Sequence, residues 1–168
     1  MNMNTRRRML ESLSSFEPLY IYQNGDTDFK NCTHRSETYE GLIPGTVYDV
    51  CGIAFGEECF EIENSAHQNA TNRIYYLYLD VTRYKKIILE GYNPNTSSDL
   101  GESRVGVFSS DGLKERDFTE ETSKKIGWSF SGPNRYEFDV ENLKGTRVLA
   151  FCNTSRYAEP KIYEIRME

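Results

Sequence analysis

From Leu19 onward the chain runs in short aromatic and β-branched stretches that alternate with polar positions and stop at turn residues. That is the pattern of half-buried strands in an all-β sandwich or barrel. The first run, Leu19-Tyr20-Ile21-Tyr22, leads into the turn Asn24-Gly25-Asp26. Further runs occupy residues 47–55, 59–62, 74–81, 86–90, 104–109, 126–130, 135–140, 147–151 and 161–167. Propensity thus predicts roughly ten strands. Tyr75-Tyr76-Leu77-Tyr78 reads as a strand with two positions toward the core and two outward. Loops such as Gly41-Leu42-Ile43-Pro44-Gly45 and Ser131-Gly132-Pro133-Asn134 accept turn dihedrals, and none is long enough to be an interdomain linker.

One segment departs from this period. Over residues 3–15, Met9, Leu13 and Phe16 recur at i, i+4 and i+7, with Asn4 or Thr5 as N-cap and Pro18 as terminator. A helix of about ten residues with one narrow stripe is not stable alone, so it is expected to pack on the body or on a neighbouring subunit. Residues 1–17 are therefore read as an anchoring arm and residues 18–168 as one sandwich domain.

An internal echo adds detail. Leu79-Asp80-Val81-Thr82-Arg83-Tyr84-Lys85 and Phe138-Asp139-Val140-Glu141-Asn142-Leu143-Lys144 share the order apolar, Asp, Val, two variable residues, large apolar, Lys. Each reads as a strand ending at Asp-Val, a turn closed by the Asp carboxylate, and a large residue (Tyr84 or Leu143) dropped into the core before the chain returns. Corners of this kind recur in jelly-roll sandwiches. The expected fold is an antiparallel jelly-roll β-sandwich preceded by a short helix.

Composition changes the picture in two respects. The 168 residues are 38% hydrophobic only when their 12 Tyr are counted, so the core leans on aromatics, of which Phe adds nine and Trp one. The net charge of −6 is unevenly spread: apart from Arg6, Arg7 and Arg8, the chain holds 17 basic against 26 acidic residues, a charge of −9. A body this acidic repels a phosphate backbone, which argues against nucleic acid outside the arm. The three arginines read either as a solvated helix start or as a contact for an acidic partner surface. No apolar run is long enough to span a bilayer, and no apolar signal core follows the arginines, so neither membrane insertion nor export is expected. Cys32, Cys51, Cys59 and Cys152 are accordingly expected as free thiols.

The stretches 79–87 and 138–145, the closing Lys161-Ile-Tyr-Glu-Ile-Arg-Met-Glu168 and the opening Arg6-Arg-Arg-Met-Leu10 carry a family likeness. The chain resembles the jelly-roll modules, similar to galactose-binding-like domains, found in bacteriophage and prophage minor tail or virion proteins. The resemblance implies a non-enzymatic virion component of a tail, fibre, baseplate or decoration, made in the host cytoplasm. Its partners would be other virion proteins and copies of itself, held through Arg6, Arg7, Arg8, Met9, Leu13 and Phe16, with a cell-surface glycan as a further ligand. The alternatives are a free carbohydrate-binding module or, third, a glycoside-acting hydrolase.

The candidate chemistry is sparse. Cys32, His34, Cys51 and Cys59 lack the paired spacing and the second His of a zinc site, so no metal is expected, nor any cofactor. His34 and His67 have no nucleophile motif beside them, and the acidic pairs Glu57-Glu58 and Glu120-Glu121 read as solvated faces, so no catalytic residue is assigned. Sugar recognition asks for aromatic faces beside hydrogen-bonding groups, because a sugar offers apolar C–H faces ringed by hydroxyls. Tyr92 with Asn93 and Asn95, and Tyr157 with Asn153 and Arg156, meet that requirement by composition. Trp128 is the third candidate, although a Trp in an alternating run more often belongs to the core.

Overall fold

The computed structural model describes residues 17–36, 38–40, 47–49, 52–63, 74–94, 101–155 and 159–168. The expected helix with Arg6, Arg7, Arg8, Met9, Leu13 and Phe16 lies outside these residues, as do Cys51, His67, Asn95, Arg156 and Tyr157.

The described chain forms strands β1 (Leu19–Gln23), β2 (Thr33–Ser36), β3 (Thr38–Glu40), β4 (Val47–Asp49), β5 (Ile53–Phe55), β6 (Phe60–Ile62) and β7 (Ile74–Asp80). They are followed by β8 (Lys86–Tyr92), β9 (Ser103–Phe108), β10 (Lys124–Lys125), β11 (Asn134–Asp139), β12 (Thr146–Asn153) and β13 (Lys161–Met167). All pairings are antiparallel. Sheet A has the order β11-β8-β13-β6-β5, and sheet B has the order β10-β9-β12-β7-β2, while β3 and β4 pair only with each other. β1 also joins sheet A. It pairs with the C-terminal half of β13, whose first two residues pair with β6, so β1 and β6 share one edge of β13 while β8 runs along the other. The two sheets make the jelly-roll sandwich that the alternation predicts.

The core between the sheets follows the period of two. Tyr75, Leu77 and Leu79 of β7, Leu149 and Phe151 of β12, Ile87 and Leu89 of β8, and Ile162, Ile165 and Met167 of β13 all face it. Aromatic rings fill the end near β1, where Phe60 meets Tyr22 and Phe29 edge to face, at centroid distances of 4.8 and 5.0 Å. The Tyr22 hydroxyl, fully buried there, has no hydrogen-bond partner, and burial pushes its pKa up to about 12.

The echoed segments are the two corners between the sheets. Asp80 Oδ1 accepts from the Thr82 amide at 3.0 Å and from the Thr82 hydroxyl at 2.6 Å, and Asp139 Oδ1 accepts from the Glu141 amide at 3.0 Å. Val81 and Val140 are buried, whereas Tyr84 and Leu143 are only half-buried against the core, so the valine is the deeper plug. The corners also tie to each other: the Val81 amide donates to Gly145 O and the Val140 amide to Lys85 O. They define one pole of the sandwich. The opposite pole holds the end of β8 and the starts of β11 and β13.

The outer faces of the sheets differ. On sheet B, Ile74, Tyr76, Val148, Ala150 and Cys152 form a second apolar cluster, covered by Leu113 and Phe118 from the strap of residues 109–123 that joins β9 to β10. A Cβ on Gly106 of β9 would stand 2.6 Å from Thr122 O, so glycine lets the strap lie against the strand. On sheet A most outward positions are charged, with Ile88 buried among them between Lys86 and Glu90 of β8.

Candidate functional site

At the pole away from the corners, the segment leading from β10 to β11 carries Ile126-Gly127-Trp128-Ser129-Phe130-Ser131. Its alternation predicts a strand, but only Ile126 is buried and no strand forms. The reason lies in the partners of its backbone. Gly127 O accepts from the Asn93 amide at 3.0 Å and from Asn134 Nδ2 at 3.2 Å, and the Gly127 amide donates to the Tyr136 hydroxyl at 2.9 Å. Asn134 Nδ2 also reaches Trp128 O at 3.4 Å. Side chains of the β11 start and the backbone just past β8 thus hold the segment as a loop.

The loop turns its two rings outward. Trp128 is 38% exposed and Phe130 90% exposed, against near-complete burial of the core aromatics. The two rings lie in contact with each other. Ser129 and Ser131 alternate with them in the chain, and Ser129 Oγ accepts from the Ser131 amide at 3.4 Å. Trp128, a glycan candidate weighed against the commoner core position, thus lies at the surface, since the loop has no strand partner to turn the indole inward.

Beside this loop, Tyr92 at the end of β8 stacks on Tyr163 of β13, with centroids 6.1 Å apart and planes at 13°. Burial, and then its hydrogen bond with Tyr92, push the Tyr163 phenol well above its ordinary pKa. Buried Cys59 is likewise raised by desolvation, with Tyr163 as hydrogen-bond partner. Neither group is a nucleophile at neutral pH.

From the tyrosine pair the outer face of sheet A continues as interlinked ion pairs. Arg166 reaches Glu164, Glu168 (2.7 Å) and Glu90 (3.7 Å). Arg135 reaches Glu90 (3.9 Å) and Glu137 (2.8 Å), and Lys86 closes on Glu137 at 2.6 Å. Lys161 pairs with Glu61 at 3.0 Å. The two cations hold the Glu137 carboxyl below the usual range.

No protein-family model and no curated protein matches the sequence. Among solved structures the chain is similar to a point mutant of a family 29 carbohydrate-binding module, with a TM-score of 0.58, 12% identity and 90% of each chain covered. It is also similar to a family 29 mutant module complexed with mannohexaose (TM-score 0.54, 11% identity, 90% of each chain). A family 29 module from Piromyces equi gives a TM-score of 0.50 at 12% identity, over 90% of this chain and 89% of that one. The chain shares the jelly-roll fold of these modules. None of the three is described as a virion protein.

The other residues singled out by sequence fall into place against that fold. Tyr92 is half-buried, and Asn93 is buried, its amide tying the aromatic loop to β8. Asn153 is 1% exposed and corrects the expectation of a surface donor. Its side chain accepts from Ser103 Oγ at 2.9 Å and donates to Ile62 O at 3.2 Å, which braces sheet B to sheet A. His34 shares a 2.5 Å hydrogen bond with the Tyr75 hydroxyl and lies 3.3 Å from Asp28, fastening β2 to β7. Cys32, Cys59 and Cys152 are free thiols. Among the described residues, no group of three or more His, Cys, Asp and Glu is placed to hold a metal ion. Phe130 was missed altogether, although the alternation of rings and serines in Trp128-Ser129-Phe130-Ser131 was there to find it.

Proposed function

We propose that this chain is a non-catalytic carbohydrate-binding module whose ligand stacks on Trp128 and Phe130. The observation that carries the reading is the exposure of these two rings on a loop fastened by four hydrogen bonds. An apolar ring left in water is destabilising unless something covers it, and the apolar C–H face of a sugar suits such rings. The similarity in fold to carbohydrate-binding modules, one of them complexed with mannohexaose, supports the same reading and suggests mannose-based oligosaccharides as first ligands.

A virion role, the other reading of the sequence, rests on the resemblance alone. Its anchor, the arm of residues 1–17, is the part to test: a chain lacking residues 1–15 is expected to lose self-association in size-exclusion chromatography if the arm joins copies.

Trp128 is the single tryptophan of the chain, so its fluorescence reports the site directly. Titration with mannohexaose and cellohexaose is expected to shift the emission, and affinity electrophoresis in glucomannan is expected to retard the protein. Trp128→Ala should abolish the retardation. A wild-type chain that neither shifts nor is retarded by any of these overturns the proposal.

A further inference from the structure

Resting on the carbohydrate reading of the Trp128–Phe130 site, we infer that Tyr136 is a positioning residue for the ligand: its hydroxyl, with the Asn134 side chain, fixes the direction in which the Trp128 indole leaves the backbone. That direction follows from the peptide planes around the residue, because each plane is rigid and only φ and ψ turn between them. Three successive planes around Trp128 are held. The Gly127 amide donates to the Tyr136 hydroxyl at 2.9 Å, which pins the plane entering the glycine. Gly127 O, in the plane between Gly127 and Trp128, accepts from the Asn93 amide at 3.0 Å and from Asn134 Nδ2 at 3.2 Å. Trp128 O, in the plane leaving the tryptophan, accepts from the same Nδ2 at 3.4 Å. Both carbonyls can only accept, which settles the end of the Asn134 amide that faces them. Nδ2 also lies 3.4 Å from the Tyr136 hydroxyl, so the two side chains form one bracket. The Tyr136 ring packs against the core between the sheets and anchors that bracket to the sandwich.

Gly127 is the reason a bracket matters. Glycine is the residue least restricted in φ and ψ, and one placed directly before Trp128 is a joint about which the indole can swing. Neither crowding nor a left-handed backbone demands glycine at this position. Its φ lies outside the left-handed region, and a Cβ would meet nothing nearer than Asn134 Nδ2 at 3.9 Å. A free joint must be ordered each time a sugar stacks on the ring, which weakens binding, whereas a joint held beforehand adds no such cost. The loop around Phe130 is tied differently. Among the described residues its hydrogen bond is internal, from the Ser131 amide to Ser129 Oγ at 3.4 Å. The bracket therefore acts on Trp128.

The test separates the Tyr136 hydroxyl from the ring that carries it. Tyr136→Phe keeps the ring on the core and removes the acceptor of the Gly127 amide. Binding of mannohexaose or cellohexaose, whichever the wild-type chain takes, is read by calorimetry and is expected to weaken about tenfold. Time-resolved fluorescence anisotropy of Trp128, the single tryptophan, should gain a fast component. Adding Gly127→Ala to Tyr136→Phe stiffens the joint by another route and is expected to win back about threefold in affinity. A hydroxyl that touched the sugar, or one that only stabilised the fold, would gain nothing from that methyl group. Asn134→Ala removes the donor to Gly127 O and Trp128 O, so it should weaken binding too, and it carries the comparison if Tyr136→Phe fails to fold. Equal affinity in wild type, Tyr136→Phe and Asn134→Ala overturns the positioning role and leaves carbohydrate binding in place. A loss in Tyr136→Phe that Gly127→Ala does not ease also overturns it. A wild-type chain that binds neither sugar overturns the proposed function, and the role of Tyr136 with it.

Discussion

The two outer faces of the sandwich are built from strands of one chain, and they are finished in opposite ways. Sheet B turns Ile74, Tyr76, Val148, Ala150 and Cys152 outward and buries them under the strap of residues 109–123. Sheet A turns mainly charged side chains outward and joins them in pairs that, with Ile88 beneath them, form its own cover. In sequence this is the contrast between Ile74-Tyr-Tyr-Leu-Tyr-Leu-Asp80, apolar at nearly every position, and Lys161-Ile-Tyr-Glu-Ile-Arg-Met167, which alternates. A strand apolar on both sides needs cover on both sides, and the strap supplies it. The strap borders an open pocket of about 330 Å³ lined by Glu102, Arg104, Glu115, Phe118, Cys152 and Thr154. Arg104 is held within it by Glu102 at 2.8 Å and Ser123 at 2.9 Å. Sheet A needs no lid. The side of the molecule that is free to meet a ligand is thus the one whose stability depends least on being covered.

The largest effect is expected on the covered side. Phe118→Ala removes a ring that packs on Phe108 at 5.0 Å and opens a void between strap and sheet. The expected cost is about 3 kcal/mol, read from urea unfolding. A loss below about 1 kcal/mol would mean that the strap is ornament and that sheet B tolerates exposure. On the open side, Arg166→Met leaves Glu90, Glu164 and Glu168 close together without their shared cation. Its expected cost is about 1–2 kcal/mol, because the guanidinium is largely sheltered but its partners reach solvent.

A subtler change concerns how the strap is latched. Asp111 Oδ2 accepts from the Tyr78 hydroxyl at 2.8 Å and from Arg35 at 2.7 Å, and the Leu113 amide donates to the Tyr76 hydroxyl at 3.2 Å. The Tyr78 hydrogen bond, followed by Arg35, holds the Asp111 carboxyl below its ordinary range. A carboxyl depressed by folding contributes its full stabilisation above the unfolded-chain value, and that contribution fades as pH falls through the lower folded value. Amide exchange in residues 109–123 should therefore speed up relative to the strands on acidification below about pH 4. In Asp111→Asn it should be faster at neutral pH and lack that acid step. Equal exchange in the two proteins at neutral pH would show that the latch adds nothing to the apolar packing. The smallest effect on stability is expected from Trp128→Ala, within about 0.5 kcal/mol of wild type, although the same change should remove ligand binding. A large destabilisation would return Trp128 to the core and remove the site.

What could be read from sequence followed the same divide. β13 was bounded correctly at both ends, since Ile162, Ile165 and Met167 face the core while Lys161, Glu164 and Arg166 face water. The corners were legible because Asp80 and Asp139 act within two residues of themselves, a range that sequence resolves. β2 was not, because Thr33-His34-Arg35-Ser36 is polar throughout and is a strand only by virtue of β7 beside it. The run around Trp128 failed for the converse reason: it has the alternation of a strand but Gly127 spends its backbone groups on Asn93, Asn134 and Tyr136. Whether a ring in such a run is core or surface depends on what the backbone beside it bonds to, here groups 7, 9 and 34 positions away. Asn153 was misjudged likewise, because its partners Ser103 and Ile62 are 50 and 91 positions distant.

The place of β13 bears on how the protein is made. It is the last described strand to be synthesised, yet it lies in the interior of sheet A, with β8 along one edge and β1 and β6 along the other. A nascent chain holding everything up to residue 160 has the strands of sheet B and the pairs β8–β11 and β5–β6, but lacks the strand that joins them and β1 into sheet A. Its β1, β6 and β8 must wait with their apolar sides uncovered until residues 161–167 leave the ribosome exit tunnel, a state prone to aggregation. Chaperone dependence during translation, released in one step when β13 emerges, is the expected signature.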